Sequence, residues 1–589
     1  MKKPAYRGKV NADVRFHDGA LRPVIGVCNM QVMRANREHP ELSQGTGHTY
    51  NHAPMLCRWR GMMYLMYLSS PVHEHCGHGR AMIMHSPDGF SWSMPEILFP
   101  EIPVPPGIYC GKDPESLPDN AYSVVHHRMG FYIAPNGVLL AMTFHGVSPH
   151  IHAAPNSGYG MGRVVRRIYP DGTFGDIHVL RVNTHAGWKK EHFPYPWYAD
   201  SSDSEFTAAC ESLLRDTAAN GAWWEEERLD TEFFPLAGIK APSFCRMPDG
   251  VLTAIGKAGL TSVSHDEGRT WTQPEKAEGI STSGGKCCLT RTGDGRYAII
   301  YNPNPDGQHR WPLAAITGDN GYDYDDMLCI CGEVPPMRYG GWLKNVGPQY
   351  VRTIMPGNDD APDGYTWITY SMNKEDIWVA RLPETLTGID KAPVHDDFSE
   401  ITGPVPEKWH IYSPQWAQTR IENGCLTIRD SEPYDYAKAI RTFPEATKVC
   451  IRIRLAAENS SAGELYIAVT DSRGMTAART VISGGMLYVR SGDGKWPVYE
   501  IKDGAETDIS IEVDCASQAM RICTNGVWGK ERSLMGPAAS VERLILRTGA
   551  VRIQPTPETE LKNVCPPDAD RPGERLSEAV FSIRSVETV

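Results

Sequence analysis

The chain reads Ser-His-Asp-Glu-Gly-Arg-Thr-Trp at residues 264–271. This stretch fits the pattern Ser-x-Asp-x-Gly-x-Thr-Trp at every specified position, and five fixed positions make a chance match improbable, on the order of one in several thousand. In a tight hairpin the Asp and Ser side chains can accept hydrogen bonds from backbone amides while the Trp packs beneath the turn. The stretch therefore predicts a hairpin of fixed shape, and it marks the fold rather than the chemistry.

Two other stretches are variants of this one. Residues 86–92 read Ser-Pro-Asp-Gly-Phe-Ser-Trp, one residue short, and residues 317–324 read Thr-Gly-Asp-Asn-Gly-Tyr-Asp-Tyr, with Thr and Tyr substituted. All three follow predicted hairpins, and their recurrence indicates a repeated structural unit.

Hairpins of short apolar segments, most of them around an Asp-Gly, Asn-Gly or Arg-Gly turn, recur before residue 385. They cover residues 54–69, 129–144, 242–256, 287–301 and 350–370. Each is followed by a further apolar segment, at 81–85, 163–169, 259–265, 313–317 and 377–382. Recurring sheets of about four strands are typical of a β-propeller. We predict an all-β protein with a propeller at residues 1–390, six-bladed or alternatively seven-bladed, and a short helix at 206–216 inside an insertion.

The pattern changes after residue 383. Residues 449–456, 465–470 and 509–513 alternate apolar and polar side chains, which is typical of a sandwich with one solvated side. Residues 385–398 are polar and contain Pro and Gly, so we place the boundary there and predict a C-terminal β-sandwich of jelly-roll type at 391–589. Trp409 and Trp416 could stack on sugars, but core positions are the more common role for tryptophan in a sandwich.

Composition restricts the partners. The 59 Lys and Arg against 71 Asp and Glu give a net charge of −12, which disfavours binding of nucleic acid through phosphate neutralisation. No apolar run approaches the ~20 residues of a membrane helix. The cysteines number 15 and include the neighbours Cys287 and Cys288, which favours reduced thiols and a cytoplasmic location. A removed leader would instead make the protein secreted or periplasmic.

These motifs carry a resemblance to a known family. Residues 20–385 resemble the Asp-box, or BNR-repeat, propellers of the sialidase-like family. Segments 50–54, 127–132, 162–166 and 336–341 are similar, more narrowly, to propeller enzymes acting at L-rhamnose linked α-1,4 to glucuronate and to propeller ulvan lyases. Sialidases carry a Phe/Tyr-Arg-Ile-Pro motif, from which the nearest segment, Leu-Arg-Pro-Val at 21–24, departs. Residues from about 395 to 589 resemble concanavalin-like, or laminin-G-like, sandwiches.

Two chemistries fit such a propeller. Glycoside hydrolysis needs a carboxylate pair or, in sialidases, a Tyr helped by Glu with an Asp acid, and the loops offer carboxylates without a diagnostic motif: Asp200, Asp203, Glu205 and Glu333. β-Elimination beside a uronate needs a cation, a base and a proton donor, for which Arg, His and Tyr suffice. The first half of the propeller is rich in histidine, at His48, His52, His73, His75, His78, His85, His126, His127, His145, His150 and His152. This enrichment predicts a site in that half.

The candidate catalytic residues are His52 as general base, His127 on a strand beside the pocket, and Arg338 with Tyr339 as carboxylate anchor and acid. The alternative roles are a hydrogen-bonded rim histidine for His52 and an arginine paired between blades for Arg338.

The candidate substrate ligands are polar residues in loops or at strand starts, namely His73, His75, Arg128, Arg163, Lys240, Lys286 and His309. His73 and His75, with His78 or Cys76, could hold a metal, but the spacing is not that of a regular metal motif. We therefore predict neither a metal nor a cofactor.

The sequence thus predicts a carbohydrate-active enzyme that removes a terminal sugar, such as rhamnose, from a uronate in an acidic oligosaccharide or polysaccharide. β-Elimination is preferred to hydrolysis. The alternatives are a sialidase-type hydrolase with a Tyr nucleophile and a non-catalytic glycan-binding propeller. We expect no nucleic-acid or membrane partner, and the oligomeric state, a homo-oligomer included, is left open.

Overall fold

The structure is a computed structural model that describes residues 2–110, 115–223, 236, 238–282, 284–306, 309–354, 364–492, 494–549 and 573–589. The chain begins with two strands that join later sheets, β1 (Ala5–Tyr6) and β2 (Cys28–Met33). None of the helices in these ranges is both long and apolar enough to cross a membrane.

The first half of the propeller contains two four-stranded antiparallel blades. Blade one consists of β3 (Tyr50–Trp59), β4 (Met62–Ser70), β5 (Arg80–Ser86) and β6 (Glu96–Phe99). A two-stranded sheet follows, made of β7 (Tyr109–Cys110) and β8 (Glu115–Ser116). Blade two consists of β9 (Val124–Ile133), β10 (Leu139–Gly146), β11 (Gly160–Ile168) and β12 (His178–Val182).

The predicted helix lies in the insertion after blade two. The two helices are α1 (Ser204–Arg215) and α2 (Thr217–Trp223). Asp203 caps α1, since its side chain accepts a hydrogen bond from the amide of Phe206 and so satisfies one of the free amides of the first turn.

Three more blades complete the ring. Blade three consists of β13 (Ser243–Arg246), β14 (Leu252–Ile255), β15 (Leu260–Ser264) and β16 (Glu275–Lys276). Blade four consists of β17 (Cys288–Arg291), β18 (Tyr297–Tyr301), β19 (Leu313–Gly318) and β20 (Asp323–Cys331), with β1 as a fifth strand beside β20. Blade five consists of β21 (Pro348–Thr353), β22 (Thr366–Met372) and β23 (Asp376–Leu382), with β2 as its outer strand.

The five predicted hairpins each form the first two strands of a blade, and the third strands also lie where predicted. The described residues contain five such blades, so the predicted count of six, or alternatively seven, is not confirmed. The physical reason is that β2 is not the start of another blade: it pairs antiparallel with β23 and completes blade five.

The motif at 264–271 lies between the third and fourth strands of blade three and makes the predicted bonds. Asp266 accepts hydrogen bonds from the amide and the hydroxyl of Thr270, at 2.8 and 2.7 Å. Ser264 accepts one from the amide of Gly268, and the Trp271 indole N–H donates to the Gly268 carbonyl. The stretches at 86–92 and 317–324 connect the same pair of strands in blades one and four, so the three turns are equivalent.

The C-terminal part is a sandwich of two sheets. Its strands are β24 (His395–Asp397), β25 (Trp409–Ser413), β26 (Thr419–Glu422), β27 (Cys425–Asp430), β28 (Lys438–Ala446), β29 (Lys448–Glu458), β30 (Glu464–Thr470), β31 (Thr476–Ser483), β32 (Met486–Ser491), β33 (Gly494–Glu500), β34 (Thr507–Asp514), β35 (Ala519–Thr524), β36 (Val527–Trp528), β37 (Arg532–Ser533), β38 (Val541–Thr548) and β39 (Ala579–Thr588). Trp409 and Trp416 are buried, which confirms their role as core residues.

One sheet runs from the propeller into the sandwich. β2 pairs on one side with β23 of blade five and on the other, in parallel, with β25. The hydrophobic core that includes Trp367 of blade five also includes Trp409 and Ile411 of the sandwich. The sandwich is therefore packed against the propeller through a common core.

A buried ion pair also joins the two parts. Arg34, directly after β2, donates to both carboxylate oxygens of Glu432 at 2.8 and 2.9 Å, and its guanidinium lies 3.7 Å from the ring centroid of Trp416. Both charged side chains are only 2% exposed, so each depends on the other for compensation of its buried charge.

Removal of one member of this pair should destabilise the protein strongly. We expect Arg34→Ala to lower the free energy of unfolding by about 3–5 kcal/mol because it removes the hydrogen-bonded counter-charge of the buried Glu432 carboxylate. Chemical denaturation measures the difference. As a control, Arg15→Ala removes an exposed pair with Asp13 and should change stability by less than about 1 kcal/mol. Equal effects of the two substitutions would contradict this assignment.

Candidate active site

The candidate site lies at one end of the propeller ring. The innermost strands of the blades are β3, β9, β13, β17 and β21, and these strands pack against one another or against α2. Two groups of residues meet at this end of the ring. The first consists of polar residues at or just before the starts of three of these strands. The second consists of residues from the loops between the second and third strands of several blades.

Tyr350 is at the centre of this cluster. It lies on β21 and is 4% exposed. The ring of His52 lies 4.1 Å from its ring centroid. Three ammonium groups lie near the same centroid: Lys286 at 4.5 Å, Lys257 at 4.9 Å and Lys374 at 5.8 Å. The tyrosine ring is therefore surrounded by positive charge.

This charge changes the acidity of the phenol. Burial raises the pKa of Tyr350, but the ammonium groups of Lys257 and Lys374 outweigh burial and hold its pKa below the ordinary value. Lys257 also hydrogen-bonds the Tyr350 side chain. A buried tyrosine with a lowered pKa is a recognised sign of a functional site.

The backbone at Tyr350 is strained. Its φ angle is +60°, a region that bulky residues seldom occupy, and the register between β21 and β22 shifts between Gln349 and Arg352. Such conformations persist where the surrounding structure enforces them, and they cluster at functional sites. The strain therefore supports a specific placement of this ring.

Glu74 is the carboxylate beside the cluster, in the loop between β4 and β5. It accepts a hydrogen bond from the Tyr50 hydroxyl at 2.7 Å and one from the Lys374 ammonium at 3.0 Å. Burial and the neighbouring Glu74 raise the pKa of Tyr50 well above the usual value. Tyr50 thus stays protonated at neutral pH, whereas Tyr350 ionises more readily.

His52, the predicted general base, lies inside the cluster. Its Nδ1 is 2.7 Å from the Ser371 hydroxyl, which fixes the ring. Burial, reinforced by Lys374, holds the pKa of His52 well below the usual value. His52 is therefore neutral at pH 7 and, as a weak base, is less suited to proton abstraction than Tyr350.

Of the predicted ligands, His75 lies close to Glu74 and to His126 of β9. One potential ligand atom from each of these three residues lies within 4.8 Å of the others. The Nδ1 of His75 is 3.0 Å from the carbonyl of Ile151. A metal ion at this point would compete with the ammonium of Lys374 for the Glu74 carboxylate.

Lys286, just before the first strand of blade four, is also at the site. Lys286 is buried against Tyr350, and His309 lies in the loop between β18 and β19, with its Nδ1 2.7 Å from a carboxylate oxygen of Asp306. The neighbouring Arg310 is buried, and this burial lowers the pKa of its guanidinium. The Asp306 side chain is 40% exposed, whereas that of His309 is 5% exposed.

The structure places Arg338 and Tyr339 outside the cluster. Arg338 is buried and forms ion pairs with Asp376 and Glu375, while the Tyr339 hydroxyl donates to Glu38 at 2.7 Å. This geometry matches the alternative role of a structural arginine, because two acidic side chains already compensate its charge. Their role as anchor and acid stays a prediction.

Other predicted residues lie around the cluster. His73 is half-buried, and its Nδ1 accepts a hydrogen bond from the amide of Trp342 at 2.8 Å. Arg163 is buried on β11. The burial of His145, together with the charge of Arg163, lowers the pKa of His145 to about 3. The side chain of Lys240 is exposed. The predictions for the side chains of His127 and Arg128 concern groups outside the described residues.

The weaker carboxylate candidates have structural roles. Asp203 caps α1 and, like Glu205, pairs with Arg167. Glu333 is buried and pairs with Lys438 of the sandwich at 2.7 Å. None of these three is described in contact with Tyr350.

Sequence reasoning missed several residues of the cluster, namely Tyr50, Glu74, Lys257, Tyr350 and Lys374. A signal for them existed. Lys257 and Lys374 follow the second strands of blades three and five, as Glu74 follows that of blade one, so alignment of the blades would have placed all three in equivalent loops.

Comparison with known proteins agrees with this architecture. Residues 2–239 match the family model "BT_1020-like, N-terminal beta propeller", and residues 409–563 match "Sialidase-like, CBM domain". A solved structure titled "Sialidase" is 36% identical with a TM-score of 0.95 and is matched over 100% of this chain and 54% of its own. The chain thus spans about half the length of that protein. Comparison with curated proteins gives no match.

Two further structures are much less similar. Trypanosoma rangeli sialidase in complex with sialic acid is 10% identical with a TM-score of 0.34, over 92% of this chain and 91% of its own. The GH32 β-fructofuranosidase BmSUC1 of Bombyx mori is 11% identical with a TM-score of 0.31, over 91% of this chain and 92% of its own.

The fold and the family models together define the class. The protein is all-β, with a β-propeller at the N-terminal side and a β-sandwich at the C-terminal side.

The lowered pKa of Tyr350 can be tested directly. The difference in ultraviolet absorbance between the wild type and Tyr350→Phe during a pH titration should show a phenolate that forms below pH ~10, the ordinary tyrosine pKa. Lys257→Met removes a positive charge that stabilises the phenolate, so this pKa should rise. Lys276→Met, on exposed β16, should leave it unchanged. Ionisation of Tyr350 at or above the ordinary value would contradict the electrostatic assignment.

Proposed function

We propose that the protein is a carbohydrate-active enzyme that releases a terminal anionic sugar from an acidic glycan or oligosaccharide, with Tyr350 as the reactive group. The observation that carries this proposal is the lowered pKa of a buried tyrosine among three ammonium groups. The similarity to a protein titled "Sialidase" supports a glycoside-processing role.

The cations indicate the charge of the substrate. Lys286 and Lys374 are 2% and 3% exposed, and buried ammonium groups are stable only when anions or polar groups compensate them. A sugar carboxylate next to Tyr350 would add to the compensation that Glu74 gives Lys374. A carboxylate nucleophile would be repelled by such a substrate, whereas a phenol paired with lysines is not.

Hydrolysis follows from this arrangement in two steps. The Tyr350 oxygen attacks the anomeric carbon, the bond from that carbon to the leaving oxygen breaks, and the Asp306–His309 pair donates a proton to the leaving oxygen. Water then attacks the anomeric carbon of the tyrosyl intermediate, gives its proton to the same pair, and frees Tyr350. The terminal sugar leaves with one water added.

Elimination, which the sequence favoured, is the second candidate. In that reaction the Tyr350 phenolate removes the proton from the carbon beside the uronate carboxylate while Lys286 and Lys374 neutralise the carboxylate. A carbon–carbon double bond forms as the bond from the next carbon to the glycosidic oxygen breaks, and the departing oxygen takes its proton from the Tyr350 phenol, which returns to the phenolate. The observation that favours it is again the lowered pKa of Tyr350 among lysines, and the low pKa of His52 makes Tyr350 the better base. Rhamnose linked to glucuronate is the substrate expected for this reaction.

A screen of oligosaccharides ending in sialic acid, in glucuronate, or in rhamnose linked to glucuronate tests both reactions. Mass spectrometry of the products should show addition of water for hydrolysis, whereas elimination gives an unsaturated product that absorbs in the ultraviolet. Tyr350→Phe should lower kcat by at least about 10³-fold in either case, because it removes the reacting oxygen.

Tyr67→Phe is the matched control. Tyr67 is also buried, but on β4 within the hydrophobic core, so its substitution should leave kcat within about threefold. Turnover by Tyr350→Phe at the wild-type rate would overturn the role of Tyr350. Absence of turnover of every glycan in the screen would favour the non-catalytic glycan-binding alternative.

A further inference from the structure

One tryptophan at the edge of the candidate site is exposed. Trp342 lies in the loop between β20 and β21, and 57% of its surface is exposed, against 43% for Trp528 and 39% for Trp496 in the sandwich. Exposure of an indole to water is unfavourable in free energy. The exposure of Trp342 is therefore explained either by a binding partner or by a mobile loop that leaves the indole unburied.

The loop is anchored on both sides of Trp342. The amide of Trp342 donates to the Nδ1 of His73 at 2.8 Å. The ammonium of Lys344, whose side chain is 1% exposed, donates to the carbonyl of Tyr339 at 2.7 Å and to Glu375 at 3.0 Å. These contacts hold the backbone in place, so the exposure of the indole is a property of a fixed loop.

The same loop reaches the centre of the site. The carbonyl of Leu343 accepts a hydrogen bond from the ammonium of Lys374. That ammonium also donates to Glu74 and lies 5.8 Å from the ring centroid of Tyr350. Trp342 is thus one residue away from a direct contact with the cation cluster, on its solvent side.

The surroundings of the indole suit a sugar ring. The ring of His152 lies 6.2 Å from the indole and nearly perpendicular to it, at 85°, and His73 lies below the backbone of the loop. A flat apolar face bordered by polar groups is the arrangement on which the apolar side of a pyranose stacks, with hydroxyl groups directed to the rim.

We propose that Trp342 is a stacking platform for the sugar ring on the leaving-group side of the scissile bond. This inference rests on the proposed function, since the terminal anionic sugar occupies the cluster around Tyr350 and the next residue of the glycan then extends outward over the indole. The preferred substrates are accordingly oligosaccharides with at least one sugar beyond the bond that is cleaved, rather than small glycosides of the terminal sugar.

The test compares two substrate classes: the oligosaccharides of the screen that end in sialic acid or in glucuronate, and the methyl glycosides of these two acidic sugars. Trp342→Ala should raise KM for the oligosaccharides about tenfold with little change in kcat, a loss expected for one stacked ring. For the methyl glycosides, KM and kcat of Trp342→Ala should both stay within about twofold of the wild-type values. Trp342→Tyr should recover most of the affinity. Trp528→Ala, which removes an exposed tryptophan of the sandwich, should change neither class.

Binding separates this inference from the proposed reaction. Isothermal titration of Tyr350→Phe, with and without Trp342→Ala, should show oligosaccharides bound about tenfold more weakly by the double variant and methyl glycosides bound equally. If Trp342-dependent binding is found but the wild type cleaves no member of the screen, the proposed function fails and the platform stands. Equal effects on both substrate classes, no effect on either, or no binding of any oligosaccharide would overturn the platform.

Discussion

Compensation of buried positive charge is the constraint on which this end of the propeller depends. The ammonium groups of Lys257, Lys286 and Lys374 lie near one tyrosine ring, and Lys286 and Lys374 are almost fully buried. Coulomb repulsion in a poorly solvated region is costly, and the cost is lowered by Glu74 and by a tyrosine oxygen that ionises readily. The same balance of charge also lowers the pKa of Tyr350.

The propeller fold makes this convergence possible. Each blade contributes one innermost strand and one loop to the same end of the ring, so residues from blades one, three, four and five reach a single point although they are far apart in sequence. The outer strand β2 completes blade five and pairs with β25 of the sandwich. The sandwich therefore reinforces the blade that carries Tyr350.

Much of the fold could be predicted because it depends on local patterns. The turn at residues 60–61, for example, has positive φ at both Arg60 and Gly61, which joins two antiparallel strands tightly, and the alternating strands after residue 383 indicated a sandwich. The number of blades was not predictable in this way. It depends on whether β2 begins a blade or completes one, and the partners of β2 are more than 300 residues away.

The candidate site was only partly predictable for the same reason. His52 and Lys286 occupy strand starts, a position that can be read from the hairpins. The lowered pKa of Tyr350 arises from Lys257 and Lys374, in blades three and five, and no local pattern brings these together. Arg338 fits an anchor in the sequence alone because its acidic partners, Glu375 and Asp376, are separated from it by β21 and β22 and no local pattern pairs them with it.

The most direct measurement is to identify the residue that becomes glycosylated during turnover. An activated analogue of the cleaved sugar, with fluorine beside the anomeric carbon to slow release, should form a covalent adduct, and peptide mapping by mass spectrometry should locate it. The account predicts an adduct on Tyr350. An adduct on a carboxylate such as Glu74 would contradict it.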